Sequence, residues 1–383
     1  MKRRDFLKLT STLPFAGALP LSSNTVQAAS SAKILVLLEL SGGNDGLNTL
    51  IPHHDPDYYR LRPQLAIPQN QVLSLQQEMG LHPALKPLLP YWNAGEFAWL
   101  QGVGYPNASR SHFRSINIWE TAHARREKSV LGWLDKPEMR SQHSVDGIIL
   151  DENIGPLSNQ YLKTLSIDNP ERFIKQAKSI QTLQKSTHNT ALAHVLRQQQ
   201  RLNSAANEIA QHLQTTPQLG VQFPQHKFAQ QMFHTARLIA SGVDVPVYKV
   251  GLTGFDTHAK QSQQHSSLLR QLATGLAPFA EAMQKLGLWD NVLIMSYSEF
   301  GRRVAENGSA GTDHGAASSQ FVLGGQVQGG IYGDNPRLDD LDQGDLKYRT
   351  DFRSIYHTVS RHWLKHPIAE LAGYKPLGFL KNT

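Results

Sequence analysis

The chain has 383 residues, a net charge of +7 at pH 7, 17 histidines and no cysteine. Without cysteine, disulfides and thiolate metal sites are excluded, so any metal must be held by carboxylate, imidazole, hydroxyl or amide groups. Lysines and arginines are scattered rather than clustered, which argues against a nucleic-acid partner.

The first element in chain order is an export signal. Arg3-Arg4, then Phe6-Leu7-Lys8, a moderately apolar stretch from Leu13 to Leu21 and Val26-Gln27-Ala28 have the order of a cleavable leader. Paired arginines before Phe-Leu-Lys point to the twin-arginine machinery as an export partner and to a periplasmic or otherwise exported product. Residues 1–28 are expected to be removed. The expected domain is then 29–383, one unit with helical and irregular insertions. No later window approaches the ~20 apolar residues that a stable membrane span needs.

Apolar runs bounded by turn residues follow: Lys33–Leu40, Phe97–Gly102, a short Ile148–Leu150 within an irregular insert, Val245–Leu252, Asn291–Tyr297 and Phe321–Leu323. Such runs read as strands buried on both faces, as in a parallel sheet. A Gln-rich stretch from Lys185 to Ala240 is helical in period. In Gln263–Leu286 the residues Leu268, Leu272, Leu276, Phe279, Met283 and Leu286 form one helical face. Asp351–Leu364 repeats this through Phe352, Ile355, Val359 and Trp363. Strands alternating with helices predict an α/β layered sheet.

Ligands of open α/β sheets gather beyond the carboxyl ends of the strands. There the sequence places Asp45 in Ser41-Gly42-Gly43-Asn44-Asp45-Gly46, Asp256 and His258 in Gly254-Phe255-Asp256-Thr257-His258, and Glu299 before Phe300. Farther on lie Asp313 and His314 in Gly311-Thr312-Asp313-His314-Gly315. Carboxylates with imidazoles suit zinc- or manganese-like ions and carboxylates alone suit magnesium, so a divalent ion is expected with Zn, Mn, Mg and Ca undistinguished. Each segment alone has a bland reading, since an Asp in a Gly-rich turn is ordinarily a turn residue. Their joint placement after successive strands is the signal.

The strand Phe97–Gly102 runs on into Asn107-Ala108-Ser109-Arg110-Ser111-His112-Phe113-Arg114 and a helical pattern through Ile116 and Trp119. Ser109 is placed near a helix start, where amides and dipole favour an anion, so it is either a nucleophile or an N-cap. Ser111 is the second candidate, and Arg110 or Arg114 would hold an anionic group. The G-x-S-x-G elbow, the phosphate-binding G-x-x-x-x-G-K-[ST] loop, H-E-x-x-H and a strand-borne G-x-G-x-x-G are absent.

Taken together, the twin-arginine start, LELSGGNDGLNTLIP, NASRSHFRSINIWET, GFDTHAKQ, SYSEFGRRVAENGSAGTDHG and GGIYGD resemble the family called domain of unknown function 1501, which is placed in the alkaline-phosphatase-like superfamily. The resemblance implies a three-layer α/β/α sandwich with a mostly parallel, doubly wound sheet. It also implies metal ligands at strand ends and a hydroxyl nucleophile starting a helix. Asp45 matches the first-strand ligand, Asp256 and His258 an Asp/His pair, and His314 a late histidine ligand assisted by Asp313. Glu299 stands where an Asp-His pair is usual, with Phe300 following instead. Sulfatases carry a Cys or Ser two residues before a Pro and four before an Arg. Around Pro106 those places hold Gly104 and Ala108, which argues against a formylglycine sulfatase.

The leading expectation is an exported metal-dependent hydrolase of phosphate or sulfate esters, acting on an anionic substrate through Ser109. The alternative is a non-catalytic envelope binding protein on the same fold with a degenerate metal site. A metal assay on purified protein separates the two. Export itself is testable: replacing Arg3 and Arg4 by Lys should leave full-length precursor in the cytoplasm. Mature periplasmic protein from that double variant would refute the leader assignment.

Overall fold

A computed structural model describes residues 32–76, 78–123, 131–140, 144–180 and 188–381. The leader, residues 1–28, and the start of the helical stretch at 185–187 lie outside the described residues. Nine segments pair into one sheet. They are β1 Ile34–Ser41, β2 Phe97–Gly104, β3 Gly147–Ile149, β4 Thr164–Ser166, β5 Val247–Thr253, β6 Val292–Tyr297, β7 Ser318–Leu323, β8 Gly330–Tyr332 and β9 Thr350–Asp351. Their spatial order is β8-β2-β7-β6-β1-β5-β3-β4, with β9 also on β2. Every pairing is parallel except the two made by β7, which runs against both β2 and β6.

The apolar character of β1 follows from its central place. Val36, Leu38 and Leu40 belong to one buried cluster and Leu35 and Leu37 to another, because successive side chains leave opposite faces. The first cluster is closed by α4 (Lys227–Ala240) and α5 (Gln261–Lys285), with Ala205 and Ile209 of α3 (Thr190–Gln214). The second is closed by Ile118 and Trp119 of α2 (His112–Thr121) and by Phe352, Ile355 and Tyr356 of α6 (Phe352–Thr358). Helices therefore cover both faces of a mixed, mostly parallel sheet, the three-layer α/β/α class expected. The α5 stripe Leu268, Leu272, Leu276, Phe279 and Met283 is buried as its period requires. The last expected helix changes character, since the α form ends at Thr358 and Val359–Trp363 is a π turn.

Two charges inside apolar strands have a common cause. Glu39 of β1 and Lys249 of β5 are buried on the α2 side, and the Lys249 ammonium donates to Glu39 at 2.8 Å and to Asp151 at 2.7 Å. Tyr297 adds a donor to Glu39 at 3.2 Å. Glu120 of α2 faces this group with Asn153 as its donor at 2.7 Å. Burial, and next the Glu39 charge, push the Glu120 carboxyl from 4.5 up to about 7.

A carboxyl raised on folding stabilises the fold below its unfolded pKa and loses that contribution as pH rises through the folded one. Stability should therefore fall between about pH 4.5 and 7 by a share that Glu120→Gln abolishes. Urea denaturation of both proteins across this range measures it, and parallel pH profiles would refute it.

Candidate functional site

The glycine turn after β1 lies flat on two other strand-end loops. Gly42 has φ +116°, and a Cβ there would stand 2.3 Å from the Asp256 amide nitrogen. Gly43 has φ +78°, and its Cβ would stand 2.5 Å from the Phe300 ring. Both the positive φ and the close approach require glycine. What draws the loops together is Arg302, whose buried guanidinium donates to Gly43 O at 2.7 Å, Thr312 O at 2.8 Å, Phe255 O at 2.9 Å and Asp256 Oδ1 at 2.7 Å. It also donates to Gly42 O.

Asp45, expected as a metal ligand, has a different task. It caps the short helix α1 (Gly46–Thr49), accepting from Asn48 N at 3.3 Å. Its other oxygen accepts from Arg62 at 2.6 Å and from Gln261. Arg62 is wholly buried and donates as well to Val304 O at 2.7 Å. Burial alone would raise the Asp45 carboxyl, but the Arg62 charge, helped by His265 and the hydrogen bonds, holds it below its ordinary value. Arg62 matches its charge, and Asp45 is not among the residues whose ligand atoms gather.

That cluster forms from three other loops. Asp256 and His258 follow β5, and His112 opens α2. His314 precedes β7, and because β7 is reversed its leading loop emerges at the edge where the parallel strands end. His258 Nε2 lies 3.0 Å and His314 Nε2 3.1 Å from Asp256 Oδ1, while His112 Nε2 lies 3.4 Å from Asp256 Oδ2. The Nε2 atoms of His258 and His314 are 2.9 Å apart. Ligand atoms of His112, Asp256 and His314 all fall within 4.8 Å of one another.

Each ring is held from behind by an acceptor. His112 Nδ1 meets Glu299 Oε1 at 2.8 Å, His258 Nδ1 meets Asp313 Oδ1 at 3.3 Å, and His314 Nδ1 meets the Arg110 carbonyl at 2.8 Å. With an acceptor behind each Nδ1, each Nε2 is turned toward the Asp256 carboxylate. Asp256 is ionised: burial opposes it, but hydrogen bonds from Arg302 and His314 hold its carboxyl down to about 2. Three imidazole nitrogens thus meet one carboxylate, and of these groups His112, Asp256 and His314 bring their ligand atoms close enough together to share a cation. These donors fit a metal ion.

Glu299 and Asp313 accordingly stand one hydrogen bond behind the ligand atoms, and Asp313 supports His258 rather than His314. Phe300 packs its ring 4.8 Å from His112 and 4.4 Å from His314, as a wall to the cluster. His112 is the residue that sequence reasoning missed. Its signal is a histidine at the first helical position beyond a strand end, directly after the candidate serines.

The serines also move. Helix α2 begins at His112 with Ser111 as N-cap, so Ser109 lies before the helix start rather than at it. Ser109 Oγ accepts from Ser111 N at 3.3 Å, and its amide donates to Tyr105 at 2.9 Å. Ser111 is exposed and makes no capping bond with its hydroxyl. The Arg110 guanidinium pairs with the buried Asp345 while remaining 41% exposed.

The family model described as "Protein of unknown function (DUF1501)" matches residues 155–364. No curated protein matches the chain in sequence. Among solved structures, the chain is similar to the PsFucS1 sulfatase from Pseudoalteromonas sp., at 10% identity and TM-score 0.39 over 91% of this chain and 71% of that one. It is also similar to the lipoteichoic acid synthase LtaP from Listeria monocytogenes, at 9% identity and TM-score 0.38 over 89% and 74%. A phosphonate monoester hydrolase of Agrobacterium radiobacter gives 10% identity and TM-score 0.37 over 91% and 79%.

Removing Arg62 tests the role found for Asp45. Arg62→Met strands a buried carboxylate and should cost about 3–5 kcal/mol in denaturant unfolding. Adding Asp45→Asn should restore part of that loss. Asp45→Asn alone should leave metal uptake unchanged, and loss of uptake would return Asp45 to the ligand set.

Proposed function

The chain belongs to the DUF1501 family, and we propose that it is an exported, metal-dependent hydrolase of phosphate or sulfate esters. The observation that carries this reading is the convergence of His112, His258 and His314 on Asp256 at the strand-end edge of the sheet. Asp256 is 46% and His258 44% exposed, so an anionic ligand has access. The ordered leader with Arg3-Arg4 supports export.

A bound divalent ion would polarise an ester oxygen and offset its charge. The remaining work falls to the chain's own groups. His112, Asp256 and His314 hold the ion. Ser111, at the α2 N-terminus with a hydroxyl free of capping, gives up its proton to water and bonds to phosphorus or sulfur as the alcohol oxygen departs. Water then releases the acid from the serine. The α2 amides and dipole favour the anionic group there. Arg110, steadied by Asp345, presents its exposed side to the ester's charged oxygens. His258, backed by Asp313, is placed to hand a proton to the departing oxygen.

Ser111→Ala should retain fold and metal yet lose cleavage of an aryl phosphate or aryl sulfate by several orders of magnitude. Ser109→Ala should keep most of the activity. Activity lost with Ser109 and kept without Ser111 would reverse the assignment. Wild-type protein inert on both esters with every divalent ion supplied would favour the binding-protein alternative.

A further inference from the structure

Glu299 lies two residues beyond β6, where its position suggested a metal ligand. Its carboxylate is 4% exposed and already engaged. Oε1 accepts the Gly42 amide at 2.8 Å and faces His112 Nδ1 at 2.8 Å, and Oε2 accepts from Ser298 at 3.3 Å. The Gly42 bond fixes Glu299 to the β1 loop, and that fixed oxygen decides which nitrogen of His112 carries the proton.

Resting on the reading that the cluster holds a metal, we infer that Glu299 is a positioning residue that sets the His112 tautomer, and that the centre it completes takes one zinc-like ion in preference to magnesium or calcium. The imidazole nitrogens of His112 and His314 and the Asp256 carboxylate are donors of the kind that zinc-like ions prefer. Calcium takes six to eight oxygens and magnesium an octahedron of them, whereas Asp256 is the one oxygen-bearing side chain among the three. The Asp256–His314 and Asp256–His112 separations of 3.1 and 3.4 Å are close to a tetrahedral edge. With zinc bonds of about 2.0–2.1 Å that edge is ~3.3 Å. Carboxylates behind metal-bound imidazoles commonly control affinity ten- to a hundredfold.

The test uses the full mature chain stripped with chelator and titrated with Zn²⁺, Co²⁺, Mg²⁺ or Ca²⁺, without substrate. One equivalent of Zn²⁺ should bind, Co²⁺ should show a tetrahedral visible spectrum, and a large excess of Mg²⁺ or Ca²⁺ should leave both in place. Glu299→Gln keeps an oxygen for the Gly42 amide. It should preserve the circular dichroism spectrum and weaken Zn²⁺ about 10- to 100-fold, whereas Glu299→Ala, which removes the acceptor, should shift the His112 proton toward Nε2 in nitrogen-15 spectra of the apo protein. Should Glu299→Gln misfold, the wild-type competition still decides the ion class, and Glu299→Asp, which keeps the charge, takes over the affinity arm. Equal affinity for Ca²⁺ or Mg²⁺, wild-type Zn²⁺ affinity in folded Glu299→Gln, or the wild-type tautomer in folded Glu299→Ala would overturn the inference while leaving a metal site. Failure to bind any divalent ion would overturn the metal reading itself.

Discussion

The site depends on one buried cation. Arg302 places its guanidinium beneath three strand-end segments and donates to carbonyls of the β1 turn, the β5 loop and the segment before β7. A guanidinium taken out of water is costly unless its donors are met, and here backbone oxygens and Asp256 meet them. Satisfying that one side chain therefore fixes the mutual position of loops otherwise independent in sequence. Gly42 and Gly43 follow from the same constraint, since any Cβ would hold the turn away from Asp256 and Phe300.

Two arginines and two aspartates show how burial assigns different roles to the same pairing. Asp45 is enclosed, and Arg62, Gln261 and the Asn48 amide use both its oxygens. Asp256 is half exposed, and Arg302 takes only one side of one oxygen, so the rest of the carboxylate faces the histidines. Arg302 thereby keeps Asp256 ionised and oriented without quenching it.

This difference marks where the sequence stopped being readable. Continuous apolar runs revealed the long strands because burial on both faces leaves no other pattern. Thr164–Ser166 and Thr350–Asp351 are too short and polar for a period, and they were missed. The reversal of β7 was also hidden, since an apolar run reads alike in both directions. That reversal brings His314 to the active edge. At the site, sequence reasoning found the chemical types that arrive but not their layering. Glu299 and Asp313 differ from ligands by one hydrogen bond, a distance that no spacing encodes. Asp45 in a Gly-rich turn reads the same whether it caps, pairs or coordinates, and its partner Arg62 lies in a separate loop.

Phe300 ties the β1 turn to the histidine cluster. Its ring packs against His112 and His314, and Gly43, where a Cβ would meet that ring, admits it. Glu299, beside it, is matched to an imidazole supplied from α2. These contacts join the turn after β1, the segment after β6 and α2, so the Phe300 ring and the Glu299 carboxylate together fix the position of His112.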